Sequence, residues 1–96
     1  MKYFHRTTLS PDRVLRLAAD HFNGRMAPAE ESARRRAYSG SIGKITITAG
    51  AEGGHYTLVE VSTDQMGESE LDKVAKRFLA VVHRQAEPGH VLRGAY

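Results

Sequence analysis

Behind Ser69-Glu70-Leu71-Asp72, a Ser-x-x-Asp capping box, the apolar residues Leu71, Val74, Ala75, Phe78, Leu79 and Val82 recur at helical spacing to about Gln85. Glu87-Pro88-Gly89 then breaks the run. A helix with one apolar stripe must lay it on a second layer. That layer is supplied upstream. Lys44-Ile45-Thr46-Ile47-Thr48-Ala49 alternates polar and apolar residues, and Gly50-Ala51-Glu52-Gly53-Gly54 turns the chain into His55–Thr63, where Val59 and Val61 share one face. The pattern predicts a hairpin under a long helix.

The first half adds the remaining elements. Residues 2–8 are rich in aromatic and β-branched types and read as a strand, with Tyr3, His5 and Thr7 on one side and Phe4, Arg6 and Thr8 on the other. Ser10-Pro11-Asp12 is a helix start: the Ser hydroxyl accepts from unpaired N–H groups, Pro suits the first helical position, and Asp suits the positive end of the dipole. Val14, Leu17, Ala18, His21 and Phe22 mark the inner side of that helix, and Asn23-Gly24 stops it. Residues 25–34 carry Pro28 and no sustained period, which predicts a mobile loop, and Arg35–Ile42 reads as a further strand.

The expected fold is a two-layer α+β domain over residues 1–86, an antiparallel sheet with two helices on one face in the order β-α-β-β-β-α. Residues 87–96 form a tail that adds a short strand or reaches a neighbouring subunit. The alternative is a ferredoxin-like βαββαβ arrangement, in which residues 35–42 are irregular and His90–Tyr96 is the last strand. On the first topology the outer sheet face presents Lys44, Thr46, Thr48, Tyr56, Leu58 and Glu60.

Composition narrows the function classes. Ninety-six residues suffice for one core, and the absence of cysteine removes disulfides, thiolate metal sites and thiol nucleophiles, which fits a cytoplasmic protein. The N-terminal residues lack the apolar stretch of a secretion signal, and nowhere do eighteen apolar residues run together. The net charge of +3 is uneven: residues 1–51 carry nine Lys/Arg against four Asp/Glu, and residues 52–96 carry five against seven.

Motifs for catalysis are missing. His5, His21, His55, His83 and His90 show no metal-ligand spacing, so no metal site is expected. Ser10 and Ser69 serve as caps. Glu30-Glu31 falls in the loose segment, and Glu68, Glu70 and Asp72 fall in a first helical turn. Gly40, Gly43, Gly50, Gly53 and Gly54 do not open a helix, so they read as turn residues rather than as a phosphate loop. The expectation is a non-catalytic protein with no cofactor.

Basic residues form the remaining feature. Arg34-Arg35-Arg36 enters the sheet region, and Lys73, Lys76, Arg77 and Arg84 lie on the outer side of the second helix. Guanidinium and ammonium groups grip phosphates with salt-sensitive, sequence-indifferent affinity. The helix-strand-strand-strand-helix order, ending in Lys73-Val74-Ala75-Lys76-Arg77, resembles the double-stranded-RNA-binding domain, and the resemblance implies nucleic-acid contacts through Arg34, Arg35, Arg36, Lys73, Lys76 and Arg77. With its N-terminal strand and long C-terminal helix, the chain is also similar to the TATA-binding-protein-like and helix-grip folds, the latter including START-like lipid-binding domains. That second resemblance implies the sheet-and-helix layering and, in larger members, an apolar pocket under the long helix. The leading expectation is association, as a homodimer, through the outer sheet face or the tail. The alternatives are a nucleic-acid-binding module on the basic residues and a small apolar-ligand binder.

Overall fold

The computed structural model describes residues 1–66 and 69–86. Their elements are β1 (Lys2–Thr7), α1 (Pro11–Phe22), β2 (Ala27–Glu31), β3 (Arg35–Gly40), β4 (Gly43–Glu52), β5 (Tyr56–Thr63) and α2 (Glu70–Ala86). The strands make one five-stranded antiparallel sheet in the order β1-β5-β4-β3-β2. The α+β class and the single helix-covered face match the expectation, and the element order gains one strand.

That strand is β2, in the segment expected to be a mobile loop. All five of its residues are exposed on both faces, so no alternation marks it. Pro28, which lacks an N–H, is tolerated because β2 is the outermost strand, and its register with β3 shifts between Pro28 and Glu30. The proline, the irregularity and the carboxylates of Glu30 and Glu31 guard that edge against further pairing.

The ferredoxin-like alternative is overturned over residues 35–42. Tyr38 pairs with Pro28 on one side and Ile45 on the other, so β3 is an inner strand. Its proposed last strand, His90–Tyr96, and the tail 87–96 lie outside the described residues. The turn between β4 and β5 also lies further along than expected. β4 continues through Gly50 to Glu52, and positive φ occurs only at Gly53 (63°) and Gly54 (78°) within that stretch.

Both helices start as their caps dictate. Ser10 Oγ accepts from Arg13 N at 3.2 Å, and Ser69 Oγ accepts from Asp72 N at 3.1 Å. The Asp72 carboxylate is buried and faces Lys76 Nζ at 3.3 Å. α1 lies over β3 and β4, and α2 over β1 and β5. Between the layers are Val14, Leu15, Ala18 and Phe22 from α1, with Leu71, Ala75, Phe78, Leu79 and Val82 from α2. They meet Tyr38, Ile45, Ile47, Ala49, Val59 and Val61 from the sheet. Phe22 stacks on Tyr38 at 5.1 Å between ring centroids and meets Phe78 at 5.5 Å. Leu15 takes the buried place expected for Leu17, which is half-buried at the rim.

One glycine is indispensable to this arrangement. Gly43 has φ +128°, and a Cβ there would come within 2.5 Å of Asp64 Oδ1 and 3.0 Å of Leu71 Cδ2. Asp64 Oδ1 in turn accepts from Lys44 N at 3.0 Å, tying the start of β4 to the segment that leads into α2. That bond, and a second from Gln65, hold the Asp64 carboxyl below the usual carboxylate range.

Candidate functional site on the open sheet face

Strand alternation sends every second residue of the sheet away from the helices. The registers fix how those residues line up across the strands. One row holds Lys2, Ser62, Thr46, Ala37 and Glu30, and the next holds Phe4, Glu60, Thr48 and Arg35. A third holds Arg6, Leu58 and Gly50, and the hairpin end pairs Tyr56 with Glu52. No helix covers this face among the described residues.

The surface is mixed in chemistry. Phe4 is 56% exposed and Tyr56 53%, both large for side chains on a sheet. Around them charges are interleaved. Arg6 donates through Nε and Nη2 to Glu52 Oε1 at 3.1 and 3.0 Å, reaching across β5, and Arg35 Nε lies 3.3 Å from Glu30 Oε2. Glu60 sits between Phe4 and Thr48. Beside it, Gly50 leaves a gap in the side-chain layer, an open depression of about 510 Å³ rimmed by Arg34, Arg35, Thr48, Glu52 and Glu60, with Leu58 alongside.

The expected nucleic-acid residues are distributed over different surfaces. Alternation turns Arg35 toward the open face and Arg36 toward the helix side, where it borders a groove with Asp12, Arg16 and Ala33. There its guanidinium donates to the Ser32 and Arg35 carbonyls. Arg34 is exposed just before β3. On the opposite layer, Lys73 Nζ lies 3.9 Å from Glu70, and Lys76 pairs with Asp72 while lying 5.7 Å from the centre of the Tyr3 ring. Arg77, one turn beyond Lys73 on α2, is close enough to His21 to lower its proton affinity. Lys73, Lys76 and Arg77 thus share a helix, but the Arg triplet does not share their surface.

Two histidines meet across elements, His5 of β1 and His83 of α2, with ring centroids 5.8 Å apart. Burial lowers the proton affinity of His5, and the nearby His83 adds to the effect. His21, against Phe22 and Phe78, is likewise held low by burial and then by Arg25 and Arg77. Among the described residues no three His, Asp or Glu side chains gather as a metal site would require. No described helix is long and apolar enough to cross a membrane.

Sequence reasoning named Lys44, Thr46, Thr48, Tyr56, Leu58 and Glu60 for this face, and all stand on it. It missed Phe4, Arg6 and Gly50. The alternation in β1 had separated Phe4 and Arg6 from Tyr3 and His5 without saying which set faces out. Gly50 looked like part of a turn because glycine recurs three and four residues later.

No protein-family model matches the chain, and no curated protein or solved structure matches it significantly.

Proposed function

We propose that this chain is a cytoplasmic, non-catalytic association module that pairs with a second copy of itself through the open face of its sheet. The observation that carries this reading is the pairing of half-exposed Phe4 and Tyr56 with a nearly balanced charge set on one uncovered face. Lys2, Arg6, Arg35 and Lys44 are interleaved there with Glu30, Glu52 and Glu60. A surface built for phosphate would be uniformly basic, whereas a self-complementary one needs both signs. Size is adequate as well. Strands spaced about 4.8 Å apart and up to about 33 Å long give a footprint on the order of 600 Å² in projection, near the roughly 800 Å² that each partner contributes to a standard interface.

The β-α-β-β-β-β-α order is in keeping with the likeness to TATA-binding-protein-like and helix-grip folds at the level of layering. The apolar-ligand reading has less support, because Leu71, Ala75, Phe78, Leu79 and Val82 occupy the space beneath α2. The nucleic-acid reading loses support from the separation of the Arg triplet from Lys73, Lys76 and Arg77.

Backbone amide NMR spectra recorded over a dilution series test the proposal. Concentration-dependent shifts gathered on β1, β4 and β5 are expected, and shifts gathered on α2 instead would reject the sheet face. Fluorescence anisotropy with labelled duplex RNA and duplex DNA is expected to show no binding near physiological salt. Tight, steeply salt-dependent binding would replace self-association with the basic-surface reading.

A further inference from the structure

Gly50 is the eighth residue of the ten-residue strand β4, still within the paired ladder, where glycine costs about 0.5–1 kcal/mol relative to alanine. Glycine inside a strand ordinarily marks a bulge, a bend, or a place where something approaches the backbone closely. Here the register runs unbroken through Ala49↔Val59, Gly50↔Leu58 and Ala51↔Thr57, so there is no bulge. Its φ lies outside the left-handed region, and a Cβ built on it would meet none of the described residues within 4 Å. Neither backbone conformation nor packing among the described residues asks for glycine. Gly43, in the same strand, is demanded by both. The remaining reason is an approach from outside the described residues, onto the open depression between Leu58 and the Arg35 side of the sheet.

The rim decides the chemistry of the visitor. Arg34 and Arg35 stand beside the depression with Glu52 and Glu60, and Arg35 and Glu52 are already engaged with Glu30 and Arg6. A rim of both signs over a floor of bare backbone and Leu58 suits a neutral flat ring better than a phosphate or an amine. Aromatic rings laid over strand glycines restore the contact that the missing side chain leaves unmade.

We propose that the depression at Gly50 is a socket for Phe4 of a second copy, filled reciprocally in a two-fold dimer. This rests on the homodimer reading and names its central contact. Phe4 lies on the same face, two strands across and one row along from Gly50, roughly 12 Å away on ordinary strand spacings. A two-fold axis between two facing sheets, perpendicular to the line from ring to socket, exchanges them and passes over β5, between the Glu60 and Leu58 rows. The β1, β5 and β4 parts of the two faces then meet. Tyr56 is the immediate neighbour of the Leu58–Gly50 row, so exchanging it would put the axis at the hairpin end and overlap only the tips. The isologous rule, residue i on j and j on i, is met by Phe4 and Gly50.

Sedimentation velocity on the wild-type chain, Gly50→Val, Phe4→Ala and the double variant, with thermal melts of each, tests the socket. Wild type is expected to dimerise. Gly50→Val is expected to weaken the dimer at least tenfold while the melting temperature of the dilute monomer stays or rises, because the new side chain occupies open space and relieves a glycine. Phe4→Ala is expected to weaken the dimer to a similar extent, and the double variant to be no weaker than either alone, since one contact is removed once. Should Gly50→Val fold poorly, Gly50→Ala carries the same test with a severalfold loss. A Gly50 variant that dimerises like wild type, or fully additive losses, would overturn the socket and leave the homodimer standing. A wild type that stays monomeric would overturn both.

Discussion

The covered and open faces of this sheet are made by alternate residues of the same strands, yet their side chains are of opposite kinds. In β4 the helix side carries Ile45, Ile47 and Ala49, all fully buried, while the open side carries Lys44, Thr46, Thr48 and Gly50. In β5 the same split sets Val59 and Val61 against Leu58 and Glu60. The first set has one thing to do, which is to keep two helices on the sheet. The second contributes little to that task, and the open face carries aromatics and a glycine that contacts among the described residues do not explain. On the proposed reading folding and association fall to opposite faces, and substitutions should separate them.

The largest effect is expected on the covered side. Phe78→Ala removes a fully buried ring that touches Phe22 and His21, and should cost about 3–5 kcal/mol, read as a shift in the urea midpoint. Against a typical total of about 5–15 kcal/mol, that removes between roughly a fifth and the whole of the stability. Gly43→Ala should follow, costing about 1–3 kcal/mol from backbone strain alone, and more if Asp64 cannot move. Gly50→Ala, seven residues along the same strand, should have the opposite sign.

Tyr38→Phe sharpens the contrast from inside the core. The Tyr38 hydroxyl is buried with no hydrogen-bond partner among the described residues, and burial raises its proton affinity above that of an ordinary phenol. Removing it should leave stability unchanged or raise it by about 1 kcal/mol. On the open face, Phe4→Ala should change monomer stability by less than about 1 kcal/mol. A loss as large as that of Phe78→Ala would mean that the open face also supports the fold.

The smallest effect is a pH dependence carried by the covered side. His5 and His21 are harder to protonate in the folded chain than at the usual 6.5, chiefly through burial. The unfolded chain therefore binds more protons just below that value. Stability should be full above pH 6.5 and decline as pH falls through the window down to the lower folded values. Urea midpoints at pH 7.5 and 5.5 should show the drop, and His21→Gln should make it shallower. A midpoint that rises on acidification would contradict the placement of these rings.

Much of the covered side could be read in advance, because burial on one side imprints a period. The stripe from Leu71 to Val82 and the alternation from Ile45 to Ala49 are such imprints. β2 escaped because all of its residues are exposed, leaving no period to detect, and because proline is tolerated on an outer strand. The open face was only partly legible. Alternation separates Phe4 and Arg6 from Tyr3 and His5 but does not say which pair faces the helices. Gly50 carries no mark of its own that distinguishes it from the turn glycines Gly53 and Gly54; only a φ value and a register do that. The Arg triplet looked like a single patch in the linear chain, and strand alternation divides it.

Sedimentation equilibrium of the wild-type chain from low micromolar to near-millimolar concentration is the most direct measurement. Pairing through the open face predicts an apparent mass that climbs from the 10.6 kDa monomer toward twice that value, and a climb abolished by Phe4→Asp in a variant that melts like wild type. A mass that stays at the monomer across the whole range, or a dimer indifferent to Phe4→Asp, would contradict the assignment of association to that face.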